Sequence, residues 1–205
     1  MATPAGAARC RLHIAGRHNV VNALAAAACA LAAGAPLDAV VQGLEAFVPV
    51  KGRSRALQIT HGGRGITVVD DSYNANPDSM RAGLQALAVM ARQEGMPRRS
   101  WAVLGEMGEL GEDSITEHDR VGRLAVRLDI SRLVVVGSGR AMSAMHHGAV
   151  MEGSWGPESV MVPDADAALE LLRAELAPGD VVLVKASNAA GLGALAEALL
   201  SDGAT

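Results

Sequence analysis

Residues 65–80 read GITVVDDSYNANPDSM, and the parsing of this stretch decides the fold. Ile66-Thr67-Val68-Val69 is a short apolar, β-branched run bounded by a glycine and two carboxylates, the composition of a strand covered on both faces. Directly after it, Asp70-Asp71-Ser72-Tyr73-Asn74-Ala75-Asn76-Pro77 gathers carboxylates, a hydroxyl, a phenol and two amides at the carboxyl end of the strand. Open α/β sheets bind their ligands at that end. Pro77 suits the first turn of a following helix, Asn76 can cap it, and Met80, Leu84 and Leu87 recur at helical spacing. Turn and capping chemistry uses one or two such residues. This loop carries more polar groups than capping can occupy.

Downstream, strands and helices alternate. The pattern predicts strands at Trp101 to Leu104, Leu133 to Val136, Val160 to Val162 and Val181 to Lys185. Between them lie an acidic, glycine-rich loop (residues 105–113) and a helix starting near Thr116, with Val121, Leu124, Ala125 and Leu128 inward. A short helix follows over 139–147, then one capped by Asp164 with Leu169, Leu172 and Leu176 inward, and a last one over Leu192 to Leu200. Just upstream, Ala56 to Thr60 pairs with Ile66 to Asp70 across His61-Gly62-Gly63-Arg64-Gly65. Residues 56–205 therefore predict an α/β domain: a Rossmann-like, doubly wound, mostly parallel sheet with about five parallel strands.

The amino-terminal quarter is less regular. Residues 1–9, rich in Ala and Pro, predict a disordered start or an expression remnant. Arg11 to Ala15 fits one short strand, an alanine-rich helix opens near Gly16 and closes at Gly34, and Leu37 to Phe47 forms a second helix. Two short helices and a stray strand bury too little to stand alone, so residues 10–48 are expected to be the tail of a domain whose main body lies upstream. Pro49-Val50-Lys51-Gly52-Arg53 reads as a hinge, spanning 49–55.

Composition excludes several classes. With 205 residues, 50% hydrophobic, the chain can bury a substantial core. A net charge of -4 lacks the basic footprint of a nucleic-acid binder. Cys10 and Cys29 have no paired spacing, which argues for a reducing cytoplasm and against a zinc site. No segment has the length and flanks of a transmembrane helix or a signal peptide; the apolar run from Val20 to Ala33 is too short. Gly137-Ser138-Gly139 lacks the third glycine and following acid of a dinucleotide fingerprint, so NAD is discounted. The adjacent His146 and His147 cannot share a helix face, which excludes a metal pair.

GRHNVVNALAAAACAL, the hinge KGR, VVDDSYNANPDSM, VLGEMGELGEDS with EHDRVG, and VLVKASN together resemble the carboxyl-terminal part of the Mur ligase family. DDSYNANP followed by LGEMGELG most resembles the branch that joins D-alanyl-D-alanine to UDP-N-acetylmuramoyl-tripeptide in making the peptidoglycan precursor. The Asp-Asn-Pro-Arg motif of the diaminopimelate-adding relatives is absent. The resemblance implies a bacterial cytoplasmic, monomeric, ATP-dependent ligase. In that reaction the γ-phosphate passes to a peptide carboxylate, and the incoming amine attacks the acyl phosphate. ATP and magnesium are the implied cofactors, with no nucleic-acid partner and no membrane insertion. No G-x-x-x-x-G-K-[ST] occurs, so the phosphate cradle, the magnesium ligands and the UDP-binding domain are expected upstream, and the chain is expected to be an inactive fragment: the end of the central ATPase domain plus the third domain. Alternatives are another Mur-type amino-acid or polyglutamate ligase, or a non-catalytic Rossmann-like nucleotide-binding module.

Residue roles follow from the resemblance. Asn19 and Asn22 match amides near the adenine, the alternatives being a helix N-cap and a buried amide. Arg53 matches the hinge arginine that reaches the nucleotide phosphates and the transition state, a task suited to a permanently charged planar fork. Asp71 matches the carboxylate that accepts from the ribose, with Tyr73 beside the nucleotide. Asn74 and Asn76 are implied on the substrate side, Asn76 also serving as a cap, and Lys185 and Ser187 toward the substrate carboxylate. Asp70 reads as a strand-end or capping carboxylate. Glu106, Glu109 and His118 are weaker candidates, open to solvated or structural readings. Where many relatives read Lys-Gly-Ser-Arg, this chain reads Lys185-Ala186-Ser187-Asn188, which removes a charge contact at Asn188.

Overall fold

The computed structural model describes residues 1–14, 16–61, 64–92, 98–154 and 156–202, which form two compact units, Met1–Val50 and Lys51–Thr205. In the first unit, β1 (Ala2–Thr3) and β2 (Gly6–Ala7) pair antiparallel, so the start predicted to be disordered holds a small hairpin, tied by the Thr3 hydroxyl donating to the Gly6 carbonyl at 2.8 Å. Residues 11–14 are not a strand, because no neighbouring strand supplies a ladder; Ala15 lies outside the described residues. Helix α1 (Arg17–Ala32) ends in Gly34 at φ 91, whose N–H donates to the Leu31 carbonyl while Ala35 N–H reaches that of Ala30. This paired closure satisfies the last carbonyls and needs a left-handed residue, which glycine supplies without strain. Helix α2 spans Leu37–Ala46, with Phe47 already extended. Ala27 is the single buried residue of α1, and Val20, Val21 and Leu24 are exposed.

The second unit is the doubly wound sheet that the alternation predicts. Its strands are β3 (Arg55–His61), β4 (Arg64–Asp71), β5 (Ser100–Leu104), β6 (Arg132–Val136), β7 (Ser159–Val162) and β8 (Val181–Lys185). They stand in the order β3-β4-β8-β5-β6-β7, with β3 antiparallel to β4 and every other pairing parallel. Gly62 and Gly63 of the β3–β4 turn lie outside the described residues. Register places Asp71, Lys185 and Leu104 side by side at the carboxyl ends of β4, β8 and β5.

Helices α3 (Pro77–Arg92), α4 (Ser114–Arg127) and α5 (Arg140–Glu152) cover one face, where Met80, Leu84, Val121 and Met145 pack on Val69, Leu104, Val135 and Leu183. Helices α6 (Ala165–Glu175) and α7 (Leu192–Asp202) cover the other, with Leu172, Leu195 and Leu199 against Val68, Trp101, Val134 and Val182. The strands read as continuous apolar runs because both faces are covered. Helix α4 begins at Ser114, after a 3-10 turn at Gly111–Asp113, and α5 runs to Glu152, beyond the predicted end at 147, because Gly153 in the left-handed region stops it. At the opposite end of the sheet, buried Asp180 accepts from Arg99 Nε and a terminal guanidinium nitrogen at 3.0 and 2.7 Å, from Trp101 Nε1 at 2.9 Å and from Ala177 N–H. That cluster ties β5 to the α6–β8 turn and lies away from the ligand-binding edge.

On the outer surface of α4 and α5, Arg127 forms a two-pronged pair with Glu152 at 2.8 and 3.0 Å, and Arg123 bridges Asp119 and Glu152. The hydrogen bond from Arg127 holds the Glu152 carboxyl below the usual carboxylate range. A depressed folded value means the pair stabilises above the unfolded carboxylate range and loses that contribution as pH falls through the folded value. Thermal melts of wild type and Glu152→Gln are therefore expected to differ slightly at pH 7 and to converge in acid; a difference that persists at low pH would contradict the pairing. The effect is small because solvent screens both arginines.

Candidate functional site

The chemistry gathers at the carboxyl ends of β4 and β8, from which α3 and α7 leave toward opposite faces, the kind of switch point at which open α/β sheets bind ligands. Asp71 and Lys185, 114 residues apart, meet there: Lys185 Nζ donates to Asp71 Oδ2 at 2.6 Å and to the Asn74 carbonyl at 2.9 Å. Lys185 is only 2% exposed, and its stem runs beneath Gly83 of α3, where a β-carbon would lie 3.3 Å from Lys185 Cδ. A buried ammonium is tolerated because the carboxylate and carbonyl replace its water. Asp71 Oδ1 accepts from both the amide (2.8 Å) and the hydroxyl (3.1 Å) of Ser54, and its side chain stays partly open to solvent.

Immediately before Asp71 in the chain, Asp70 is buried. Its Oδ2 accepts from the Gly52 N–H at 2.9 Å, and its Oδ1 from the Ser72 hydroxyl at 2.6 Å. Tyr73 N–H closes the corner onto the Gly52 carbonyl at 3.0 Å. Gly52 has φ 75, and a β-carbon there would come 3.0 Å from Tyr73 Cβ, so only glycine fits this turn. Arg53 projects from it with its guanidinium 4.2 Å above the centroid of the half-exposed Tyr73 ring. Of the predicted hinge, residues 52–54 are thus fastened to β4, and Arg55 already belongs to β3.

The remaining candidates each have local partners of their own. Asn76 caps α3 in a reciprocal pair, accepting from Ser79 N–H at 2.8 Å while its own N–H donates to Ser79 Oγ at 3.0 Å. Asn74 Oδ1 accepts from the Ala75 N–H, and the residue is exposed. Ser187 uses both its N–H (2.9 Å) and its hydroxyl (2.8 Å) on the Glu106 carbonyl, which joins the β8 and β5 loops; the Glu106 side chain is exposed. His118 is fully buried: its Nε2 accepts from Met107 N–H at 2.9 Å, so its Nδ1 carries the proton and donates to the Ser114 carbonyl at 2.6 Å. Nε2 holds the 105–113 loop through Met107 and Nδ1 closes back on the first residue of α4, so both ring nitrogens have structural partners. Glu109 is exposed at φ 62. In the first unit, Asn19 is the third residue of α1 rather than its cap, Gly16 holding that position, and Asn22 is exposed, donating to Asn19 Oδ1 at 3.3 Å rather than being buried.

Beyond Ser187, a cleft of about 360 Å³ opens over the ends of β6 and β7, lined by Glu106, Gly137, Ser138, Gly139, Asp164 and Gly191. Among the described residues no cluster of three His, Cys, Asp or Glu side chains has the geometry to hold a metal ion, and no helix is long and apolar enough to cross a membrane. Sequence reading missed Ser54, Ser72 and the Asp70 contact to Gly52. The adjacent Asp-Asp pair was the available signal, since consecutive strand residues point to opposite sides.

Residues 55–188 match the family described as Mur ligase, glutamate ligase domain. UDP-N-acetylmuramoyl-tripeptide--D-alanyl-D-alanine ligase of Mycobacterium tuberculosis (strain H37Rv) is 64% identical over 206 residues, covering 95% of this chain and 40% of the relative. The ligase of the same name from Mycobacterium leprae is 62% identical over 208 residues, covering 98% and 40%. Among solved structures, MurF from Acinetobacter baumannii superposes with a TM-score of 0.79 at 34% identity over 97% of this chain and 41% of that one. MurF from Thermotoga maritima in complex with ADP shares the fold, with a TM-score of 0.72 at 22% identity over 93% and 39%. This chain spans about 40% of the length of the curated relatives it matches.

Proposed function

We propose, from the premise that this chain belongs to the Mur ligase family, that it serves the ligase reaction joining D-alanyl-D-alanine to UDP-N-acetylmuramoyl-tripeptide, and that its part is to engage ATP and the incoming dipeptide. The observation that carries this reading is the corner of β4 and β8, where Arg53, Asp71 and Tyr73 present a cation, a carboxylate and an aromatic face within one short turn. That set fits a nucleotide: a planar guanidinium suits phosphate oxygens, and a partly open carboxylate with spare lone pairs suits ribose hydroxyls. The identity to ligases bearing that reaction in their names supports the choice of substrates.

ATP, when bound, supplies the phosphoryl group that activates the peptide carboxylate. The residues of this chain hold and orient. Arg53 neutralises charge at the phosphates, Asp71 accepts from the ribose and is itself held by Lys185 and Ser54, and Tyr73 backs the guanidinium. Asn19 and Asn22 are assigned to the adenine, as amides that can both donate and accept. Asn74, Asn76, Lys185 and Ser187 are assigned to the dipeptide side. The magnesium ligands and the phosphate cradle, a G-x-x-x-x-G-K-[ST] that residues 1–205 do not contain, are assigned to other parts of the ligase. A cytoplasmic location, where the nucleotide-linked precursor is made, completes the reading.

Asp71→Asn in the whole ligase tests it. Asparagine, like alanine, leaves the buried Lys185 ammonium without its counter-charge, but it keeps the side-chain volume and one acceptor oxygen, so a thermal melt is run beside the kinetics to show that the corner stays folded. The Michaelis constant for ATP is expected to rise about tenfold, with kcat changing less. An unchanged value for ATP would remove Asp71 from the nucleotide site.

A further inference from the structure

We propose that Asp70 is a positioning residue: through the Gly52 N–H it fastens the 52–54 loop to β4 and thereby fixes where the Arg53 guanidinium stands. The fastening is a matter of geometry alone; its catalytic consequence rests on the role of Arg53 proposed above.

Asp70 is 2% exposed at the end of a sheet strand, where β-branched residues are favoured and a carboxylate is not. Its partners are all neutral donors: Gly52 N–H at 2.9 Å, Ser72 N–H at 3.3 Å and the Ser72 hydroxyl at 2.6 Å. Among the described residues no ion pair includes it. A carboxylate buried without a cation costs several kcal/mol unless its hydrogen bonds offset the lost water, so these three bonds are what the position requires. The contact to Gly52 is the one that reaches outside its own turn.

That contact is half of a clamp. Consecutive side chains on a strand diverge, so Asp70 and Asp71 reach the linker at two separate points. Asp70 takes Gly52, Asp71 takes the amide and hydroxyl of Ser54, and the Tyr73 N–H adds a bond to the Gly52 carbonyl. Arg53 lies between the two held residues. Both neighbours have left-handed backbone, Gly52 at φ 75 and Ser54 at φ 49, a conformation that serine adopts only when its surroundings impose it. With its backbone fixed on both sides and its guanidinium laid on Tyr73, Arg53 loses little further freedom on meeting a phosphate.

A carboxylate is needed because it accepts at both oxygens. The isosteric amide cannot accept at both ends: with its NH2 toward Gly52 two N–H donors face each other, and with its NH2 toward Ser72 it opposes the Ser72 N–H and keeps a partner only in the hydroxyl, which can also accept.

In the 205-residue chain, Asp70→Asn is expected to lower amide-exchange protection at Gly52 about tenfold or more, with the β8 amides unaffected. Undiminished protection at Gly52 would overturn the clamp. In the whole ligase the same variant is expected to raise the Michaelis constant for ATP severalfold and leave that for the dipeptide unchanged, and it is expected to add nothing in an Arg53→Ala background. Additive losses in the double variant would overturn action through Arg53. Should Asp70→Asn not fold, Gly52→Ala keeps the carboxylate but presses on Tyr73 Cβ, and the same losses are expected; wild-type protection and kinetics there would equally overturn the proposal. A whole ligase inert toward these substrates would refute the functional reading, while the exchange measurement would still decide the clamp.

Discussion

Replacing Gly122 with alanine is expected to destabilise the Lys51–Thr205 unit by about 3 kcal/mol or more, a fall of roughly 6–12 °C in Tm for a domain of this size. A β-carbon at Gly122 would sit 1.9 Å from the Met145 carbonyl oxygen, and one at Gly148 2.3 Å from that of Asp119. Helices α4 and α5 therefore cross backbone to backbone, and neither obstructing atom belongs to a side chain that can swing aside. Alanine must push the helices apart, which also pulls Val121, Ala125, Met142 and Met145 off the sheet. Loss of close packing forfeits dispersion contacts on both helices at once. Gly139→Ala is the control: nothing lies within 4 Å of a β-carbon there and its φ is -75, so its Tm is expected to stay within a degree or two. Equal melting of the two variants, followed by circular dichroism, would show that the crossing is looser than the structure has it.

The second large effect is expected at Arg53. In the whole ligase, Arg53→Ala is expected to lower kcat/KM for ATP by about 10²–10³-fold, the loss typical of removing one preorganised charge-stabilising donor. Arg53→Lys is expected to recover only part of it, since an ammonium offers a point charge and no fork. Folding is expected to be nearly untouched, because the guanidinium stands over an exposed tyrosine and such contacts are worth about 0.5–1 kcal/mol at open sites. Steady-state kinetics with each substrate varied in turn, beside a thermal melt, separates the two. Wild-type turnover in the alanine variant would take Arg53 out of the nucleotide site.

These two expectations differ in how early they could have been reached. Arg53 stands out in the sequence through the hinge KGR and the family resemblance. Gly122 does not. A glycine inside an amphipathic helix reads locally as a weak point, and only the proximity of α5 shows that it is a contact surface. His118 behaves in the same way: its place in the first turns of α4 left both a catalytic and a structural role open, and the two hydrogen bonds to Met107 and Ser114 show the structural one. Lys185 was legible as the end of a buried strand, while its bond to Asp71 joins positions 114 residues apart and has no local trace.

The sequence by itself determined the alternation of strands and helices from Ile66 onward, the parallel sheet covered on both faces, the polar turn after the first parallel strand and the family. Each of these is written in spacing or in contiguous motifs, the range over which local periodicity and backbone preference act. The tertiary structure alone decided the strand order that brings β8 between β4 and β5, the pairing of Asp71 with Lys185, and the grip of two neighbouring carboxylates on the residues flanking Arg53. Those depend on which strands lie side by side, and that is settled by burying both faces of one sheet at once, a condition on the whole domain that no short stretch of chain contains.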